Sequence, residues 1–319
     1  MFGTAGMDDH QQADAAPGIA GRLAAIEERL DRLAIRLEES ISYFAPRMNR
    51  VTDSQTIYLG DNTAVTFLED GTRLMVDTRS LDIGIHLLTL GQWEPAYTAL
   101  FRRLVRPGDT VLDLGANLGV YTMLAARLTG PGGRVHAFEP NPRLAHLVDL
   151  SIRINGCAGW TQVHRLAASD RRGVARLFFT DAYSGGGSLT GNAAQHDEAG
   201  SAKGAVDCEL MPIDELLADP GFRVDVVKMD VEGHEGPALR GMRALLERSP
   251  GVRIMMEFGP QMMRGSGMPA PEVVALLEGL GLSAWTIGED GGIAPVEWNV
   301  LAETTGGLQN ILVARESPF

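Results

Sequence analysis

The stretch Val111-Leu112-Asp113-Leu114-Gly115-Ala116-Asn117-Leu118-Gly119 sets a carboxylate near the end of an apolar run and follows it with a glycine-spaced turn. A buried strand, a tight turn and a helix in succession form the nucleotide-binding corner of a doubly wound sheet, where backbone N–H groups at the helix N-terminus meet the ligand. A dinucleotide corner spaces its glycines as G-x-G-x-x-G so that the backbone can approach a pyrophosphate. Here Asn117 takes the middle glycine position and Asp113 stands before the turn. A carboxylate there repels a pyrophosphate but suits the ammonium of an amino-acid moiety, which points to S-adenosylmethionine. Arg134 to Phe138 reads as the next strand and delivers Glu139-Pro140-Asn141. A carboxylate at that place accepts both hydroxyls of a ribose. Asp113, Asn117 and Glu139 are the primary cofactor candidates, with Asn141 beside Glu139.

A second group of reactive side chains follows the apolar run Val224 to Met229: Asp230, Glu232, His234 and Glu235 crowd one turn. Glu257 ends a later apolar run. Methyl transfer from a sulfonium is an in-line displacement, so alignment and exclusion of water are the main tasks. A hydroxyl acceptor must in addition lose a proton to a base in reach. His234 suits that role because imidazole titrates near neutrality. It equally reads as a helix cap. Asp230 and Glu232 complete the candidate catalytic set. No His-rich spacing of a zinc site is present, so no metal is expected; a cation held by Asp230 and Glu257 would be oxygen-ligated and weak. Further cofactor candidates are Glu94, just upstream of the glycine corner, and Ala168 and Asp170, at the end of a third strand. Glu94 also reads as a favourable first-turn charge and Asp170 as a turn cap.

The elements that must position these residues follow from periodicity. Residues 1–18 are small and polar and are expected to be disordered. Ile19, Leu23, Ile26, Leu30, Leu33 and Leu37 are then spaced four and three apart, and Ile41 and Phe44 extend the stripe. Such a heptad seam predicts a coiled-coil-like helix over 19–46, self-associating through residues 19–44, with packing on its own domain as the alternative. Pro46 ends it. Residues 55–77 read as a small β lead-in. Beyond it strands and helices alternate to the end, predicting one α/β domain over 50–319 with a mainly parallel sheet covered on both faces. The long segment Asp181 to Ala205, rich in Gly and Ser, reads as a lid near the acceptor site. His86, His136 and His164 fall in apolar or strand contexts and read as structural.

The totals narrow the function. The formal charge of −13 opposes nucleic acid and anionic membrane surfaces. Cys157 and Cys208 cannot build a disulfide framework. With neither a secretory leader nor an apolar run of membrane-spanning length, a cytoplasmic enzyme is expected.

Pro107-Gly108-Asp109, the run from Asp113 to Tyr121-Thr122, and Phe138-Glu139-Pro140-Asn141 together resemble the first half of the FkbM-type methyltransferases. Lys228-Met-Asp230-Val-Glu232-Gly233-His234-Glu235 is similar to that family's second signature, and Asn310-Ile-Leu-Val fits its closing strand. The resemblance implies a class I, Rossmann-like sheet of seven strands with the last antiparallel. It also implies S-adenosylmethionine as donor and O-methylation of a hydroxyl on a small molecule, natural product or glycan. Under it Asp113, Gly115, Asn117, Gly119 and Glu139 hold the cofactor, while Asp230, Glu232 and His234 line the reaction centre. Two competitors remain. One is a non-catalytic coiled-coil assembly subunit that retains ligand binding; the other is an NAD-dependent oxidoreductase, disfavoured by Asn117.

Overall fold

The computed structural model describes residues 26–42, 56–189, 203–303 and 307–319. The chain forms two units, Met1–Thr52 and Asp53–Phe319. In the first, residues 26–42 are a helix (α1) whose residues are all exposed. Its stripe of Ile26, Leu30, Leu33, Leu37 and Ile41 is more than half exposed along its whole length. The expected disordered segment 1–18 and the ends of the 19–46 helix lie outside the described residues.

The second unit opens with an antiparallel sheet of three strands, β1 (Ile57–Gly60), β2 (Thr63–Phe67) and β3 (Arg73–Asp77). Asp61 and Asn62 both take positive φ between β1 and β2, as a tight two-residue hairpin demands. Helices α2 (Ile83–Leu90) and α3 (Pro95–Leu104) lead into the main layer. There β4 (Thr110–Leu114), α4 (Val120–Thr129), β5 (Arg134–Phe138), α5 (Pro142–Ile154) and β6 (Thr161–His164) alternate as expected. A second small sheet follows, made of β7 (Ala167–Ala168), β8 (Gly173–Thr180) and β9 (Lys203–Met211), with β9 in the middle.

Alternation resumes with α6 (Ile213–Leu216), β10 (Val226–Met229), α7 (Glu235–Arg240), α8 (Arg243–Glu247) and β11 (Arg253–Phe258). The remaining elements are α9 (Pro260–Met263), α10 (Ala270–Gly279), β12 (Ser283–Ile287), β13 (Ile293–Val296), α11 (Trp298–Glu303) and β14 (Gln309–Ala314).

The main sheet runs β13-β12-β14-β11-β10-β4-β5-β6. The five strands from β11 to β6 are parallel to their neighbours. β14 lies antiparallel between β11 and β12. This is the expected Rossmann-like order with one strand more than seven, because β13 folds back on β12 as a hairpin. Both faces are covered. Val111 and Val226 enter one core cluster, whereas their neighbours Leu112 and Val227 enter the other. That is why these strands read as continuous apolar runs instead of alternating ones.

The chain leaves β4 toward β5 on one side, while β10 pairs on the other, so the crevice between the ends of β4 and β10 is the topological switch point. Gly115, at φ +79°, turns the chain there, and a Cβ on it would lie 1.8 Å from the Asp230 carbonyl oxygen. Gly115→Ala is expected to destabilise the fold by about 3 kcal/mol or more, read by urea denaturation. A loss below about 1 kcal/mol would show that the two loops are not held at this separation.

Candidate functional site

A cavity opens over the carboxyl ends of β4, β5 and β10. Gly115 to Leu118 form its floor, Glu139 to Asn141 and Ala167-Ala168 one side, and Asp230, Glu232 and His234 the other. About 910 Å³ lies between the lining atoms, part of it open to solvent. That is within the range of small-molecule and cofactor sites.

Glu139 is held in place by its neighbours' backbones. The Asn141 N–H donates to its Oε1 at 2.8 Å and the Asn117 N–H to its Oε2 at 2.7 Å. Burial raises its pKa to about 7 against the pull of those two N–H groups. Each carboxylate oxygen keeps a second lone pair. Asn141 caps α5, accepting from the Arg143 and Leu144 N–H groups at 2.9 and 3.4 Å. Asn117 sits at φ +50°, a conformation asparagine tolerates better than most residues. Its side-chain amide donates to the Ser184 carbonyl at 2.8 Å, while its buried Oδ1 has no hydrogen-bond partner among the described residues. Ala168, Phe138, Leu144 and Leu166 give the cavity an apolar wall.

Four sequence candidates stand elsewhere. Asp113 is fully buried and does not line the cavity. Thr122 donates to its Oδ2 and Lys228 Nζ lies 4.0 Å from its Oδ1. Asp113 sits within the strand, two residues before Gly115 and opposite Lys228 in the β4–β10 register, so it stands behind the cavity wall and not on it. Asp170 is tied to Arg240 at 3.0 Å and Arg171 at 3.2 Å, and it also stays outside the lining. Gly119 is the N-cap of α4 and packs on Val148, leaving Gly115 and Asn117 to face the cavity. Glu94 lies beyond the lining, at φ +42°, with Tyr121 Oη donating to it at 3.0 Å and Asn310 Nδ2 at 3.4 Å. Burial and the charge of Asp230 raise its pKa.

Lys228, which composition and motif did not single out as a site residue, organises the acidic side. Its ammonium donates to the Gly115 carbonyl at 3.1 Å and to Asp230 at 3.4 Å, and it sits 5.4 Å from the centre of the Tyr121 ring. Burial alone would lower its pKa, but Asp230, Asp113, Glu94 and Glu257 hold it above the ordinary value. A lysine inside the apolar run Val-Val-Lys-Met was the available signal, since a buried charge demands partners.

The carboxylates of Asp230, Glu232 and Glu257 offer oxygens within 4.8 Å of one another, close enough for an oxygen-ligated cation to bridge them. Burial, then repulsion by Asp230 and Glu235, pushes Glu232 up to about 8. Burial, then Asp230 and Glu232, pushes Glu257 up to about 10. Glu232 also adopts φ +53°, a conformation of order 1–3 kcal/mol above the favoured regions. His234 differs from all three. It occupies the N-cap position of α7, but its side chain makes no cap bond; its Nε2 lies 3.1 Å from Ser169 Oγ, and burial lowers its pKa to about 4.

A sequence profile described as "Methyltransferase FkbM domain" matches residues 113–282, more than half of the chain. Eighty residues are 48% identical to the 31-O-demethyl-FK506 methyltransferase FkbM of Streptomyces tacrolimicus, covering 24% of this chain and 29% of that protein. Fifty-eight residues are 41% identical to the protein-L-isoaspartate O-methyltransferase of Aeropyrum pernix, 18% of this chain and 22% of that one. The chain thus spans less than a third of the length of these curated relatives. Among solved structures, M. jannaschii TYW2 in complex with AdoMet aligns over 81% of this chain and 86% of its own, with 12% identity and a TM-score of 0.41. A SAM-dependent O-methyltransferase from Thermotoga maritima aligns over 82% and 95%, with 13% identity and a TM-score of 0.39.

The raised pKa of Glu257 has a definite sign for stability. The folded chain keeps this proton up to about pH 10, whereas an unfolded chain releases it near the ordinary 4.5. Ionisation therefore favours unfolding progressively as pH rises through that window. Glu257→Gln removes the titration. Its melting temperature, relative to the unmutated chain, is expected to rise steadily from pH 5 to pH 9; a difference independent of pH would show that Glu257 is ionised in the fold.

Proposed function

The chain belongs to the FkbM methyltransferase domain family, and on that premise we propose an S-adenosylmethionine-dependent O-methyltransferase acting on a hydroxyl of a small molecule, natural product or glycan. The observation that carries the reading is a cavity at the switch point bounded on one side by Glu139 and on the other by Asp230 and Glu232. The donor set fits the cofactor. Glu139 has lone pairs left for two ribose hydroxyls, and the wall around Ala168 suits an adenine face. Asp230 and the unpartnered Asn117 Oδ1 replace Asp113 as acceptors for an ammonium.

The sulfonium, when bound, supplies a methyl group to an incoming oxygen nucleophile. The residues around it align that nucleophile and take its proton. Glu232 is the better base than His234. A base should titrate near the working pH. Glu232 does so at about 8, whereas His234 is weakly basic and turned to Ser169. A positive charge in the cavity relieves the repulsion among Asp230, Glu232 and Glu257. It thereby lowers the pH at which Glu232 ionises, so the base is released when the donor is in place. Asp230 orients the acceptor or the amino-acid end of the donor, and His234 holds the cavity wall through Ser169.

The exposed heptad stripe of α1 supports self-association. An isolated helix of that length is marginal in water, and burial of Ile26, Leu30, Leu33 and Leu37 against copies of themselves would stabilise it.

Calorimetry with S-adenosylmethionine and with NAD tests the premise, and heat with NAD alone would sink it. Glu139→Ala is expected to weaken S-adenosylmethionine binding about 10- to 100-fold, the range for hydrogen bonds to a charged group. Glu232→Gln should keep cofactor affinity within a few-fold while lowering turnover on a hydroxylated acceptor roughly 10²- to 10⁴-fold. Undiminished turnover would remove Glu232 as the base. Light scattering on a chain lacking residues 1–46 should give fewer protomers per particle than the full chain; the same number of protomers would show that α1 does not join them.

A further inference from the structure

The segment following β8 crosses the cavity as a strap. Ser184, Gly185 and Gly187 line it opposite the glycine corner, and Ser184 to Gly186 form a single 3-10 turn. The Leu81 N–H donates to the Ala182 carbonyl at 2.7 Å, Arg79 pairs with Asp181 at 2.7 Å and Ser80 Oγ lies 2.9 Å from Ser184 Oγ, while the turn at 184–185 is held chiefly by two side chains. Asp82 accepts from the Gly185 N–H at 2.8 Å and from the Ser184 N–H at 3.2 Å. It also accepts from the hydroxyls of Ser80 and Ser184 at 2.7 and 3.3 Å. From the other side, Asn117 donates to the Ser184 carbonyl at 2.8 Å.

Asp82 occupies the N-cap position of α2 yet makes no side-chain bond to that helix. An aspartate there ordinarily accepts from the first-turn amides. In this chain Ser80 does so, accepting from the Gly84 N–H at 2.8 Å, and the Asp82 carboxylate is given over to the strap. Glycine at 185 eases the approach, since a Cβ would stand 3.1 Å from Asp82 Oδ2 and the carboxylate would have to shift by a few tenths of an ångström. Beyond the turn, Ser188 bonds both ways with the Phe178 backbone, and its hydroxyl donates to the Glu232 carbonyl at 3.2 Å. The strap therefore joins three parts of the site: the start of α2, the glycine corner and the acidic loop.

We propose that Asp82 and Asn117 clamp residues 181–188 across the cofactor cavity, so that the cofactor enters and leaves only when this clamp opens. Asp82 is a positioning residue: it does not line the cavity and acts through Ser184 and Gly185. Asn117 stands where a dinucleotide corner has glycine because its side chain supplies the second jaw. This rests on the S-adenosylmethionine reading above, and its test is chosen to fail separately from that reading.

A clamp opposes entry and exit alike, whereas a lost ligand contact speeds exit only. Stopped-flow measurement of S-adenosylmethionine association and dissociation on the full chain distinguishes them. Asp82→Ala is expected to raise both rate constants about tenfold or more, with a smaller change in their ratio. Asn117→Gly, which suits the positive φ, removes the second jaw together with the Oδ1 proposed to hold the ammonium, so it is expected to raise the association rate about three- to tenfold, the range for one neutral hydrogen bond, and the dissociation rate by more. A change confined to dissociation in Asp82→Ala, or no change in either variant, overturns the proposal.

Thermal melts identify a variant that fails to fold, in which case the milder Asp82→Asn replaces Asp82→Ala, with a smaller rise in both rates expected. Hydrogen exchange supplies a readout without ligand. The Ser184 and Gly185 amides should be protected in the unmutated chain and lose at least tenfold in protection in the Asp82 variant. If the unmutated chain binds no S-adenosylmethionine, the cofactor reading fails. Unprotected Ser184 and Gly185 amides would then still refute the clamp, and protected ones that Asp82→Ala frees would uphold it.

Discussion

One buried ammonium orders the acidic half of this molecule. Lys228 lies inside a strand covered on both faces, where an unpaired charge would cost several kcal/mol. Its compensation comes from three directions: Asp113 on the neighbouring strand, Asp230 two residues on, and the carbonyl of Gly115 in the turn above. That last bond ties the glycine corner to the strand that carries the acidic loop. Removing the charge would leave Asp113, Asp230, Glu94 and Glu257 without the cation that offsets their mutual repulsion. Burial raises Glu94, Asp113 and Glu257 above the ordinary carboxylate range, and the Lys228 charge pulls each of them back toward it.

Backbone strain gathers at the same place. Five non-glycine residues adopt positive φ among the described residues; Asp61 and Asn62 serve a hairpin, and Glu94, Asn117 and Glu232 surround the cavity and its approach. Conformations of this kind persist only where the surroundings over-determine them. Asn117 is fixed by Glu139 and Ser184, and Glu94 by Tyr121 and Asn310. Glu232 is pinned through its own carbonyl, which accepts from Ser188.

The alternation of strands and helices was legible because the buried runs Val111-Leu112 and Val226-Val227 are bounded by turn residues. Glu139 and the 230–235 loop were legible for the same reason: a polar residue just past an apolar strand must emerge at the sheet's carboxyl edge. Asp113 was not. It lies within its strand, and a run apolar on both sides gives no sign that it will stand behind the cavity wall. Asp170 could not be placed from local pattern either, since its partner Arg240 is remote in sequence. The strand β13 escaped notice because Ile293 to Val296 includes a proline, which edge strands tolerate and central ones do not. The role of Asp82 was hidden in the same way, because its acceptor capacity goes to amides about a hundred residues away.

The antiparallel strand β14 separates β11 from β12, though it follows both in the chain. During synthesis the inner margins of β11 and β12 thus present unsatisfied N–H and C=O groups until residues 309–314 arrive to fill the gap. A nascent chain at that stage carries two open ladders flanking a slot one strand wide, ready to accept any extended peptide of suitable apolar character. Asn310, which donates to Glu94 from this late strand, reaches it only when the slot is filled. Completion of the sheet and the anchoring of Glu94 are consequently a single event in the life of the polypeptide.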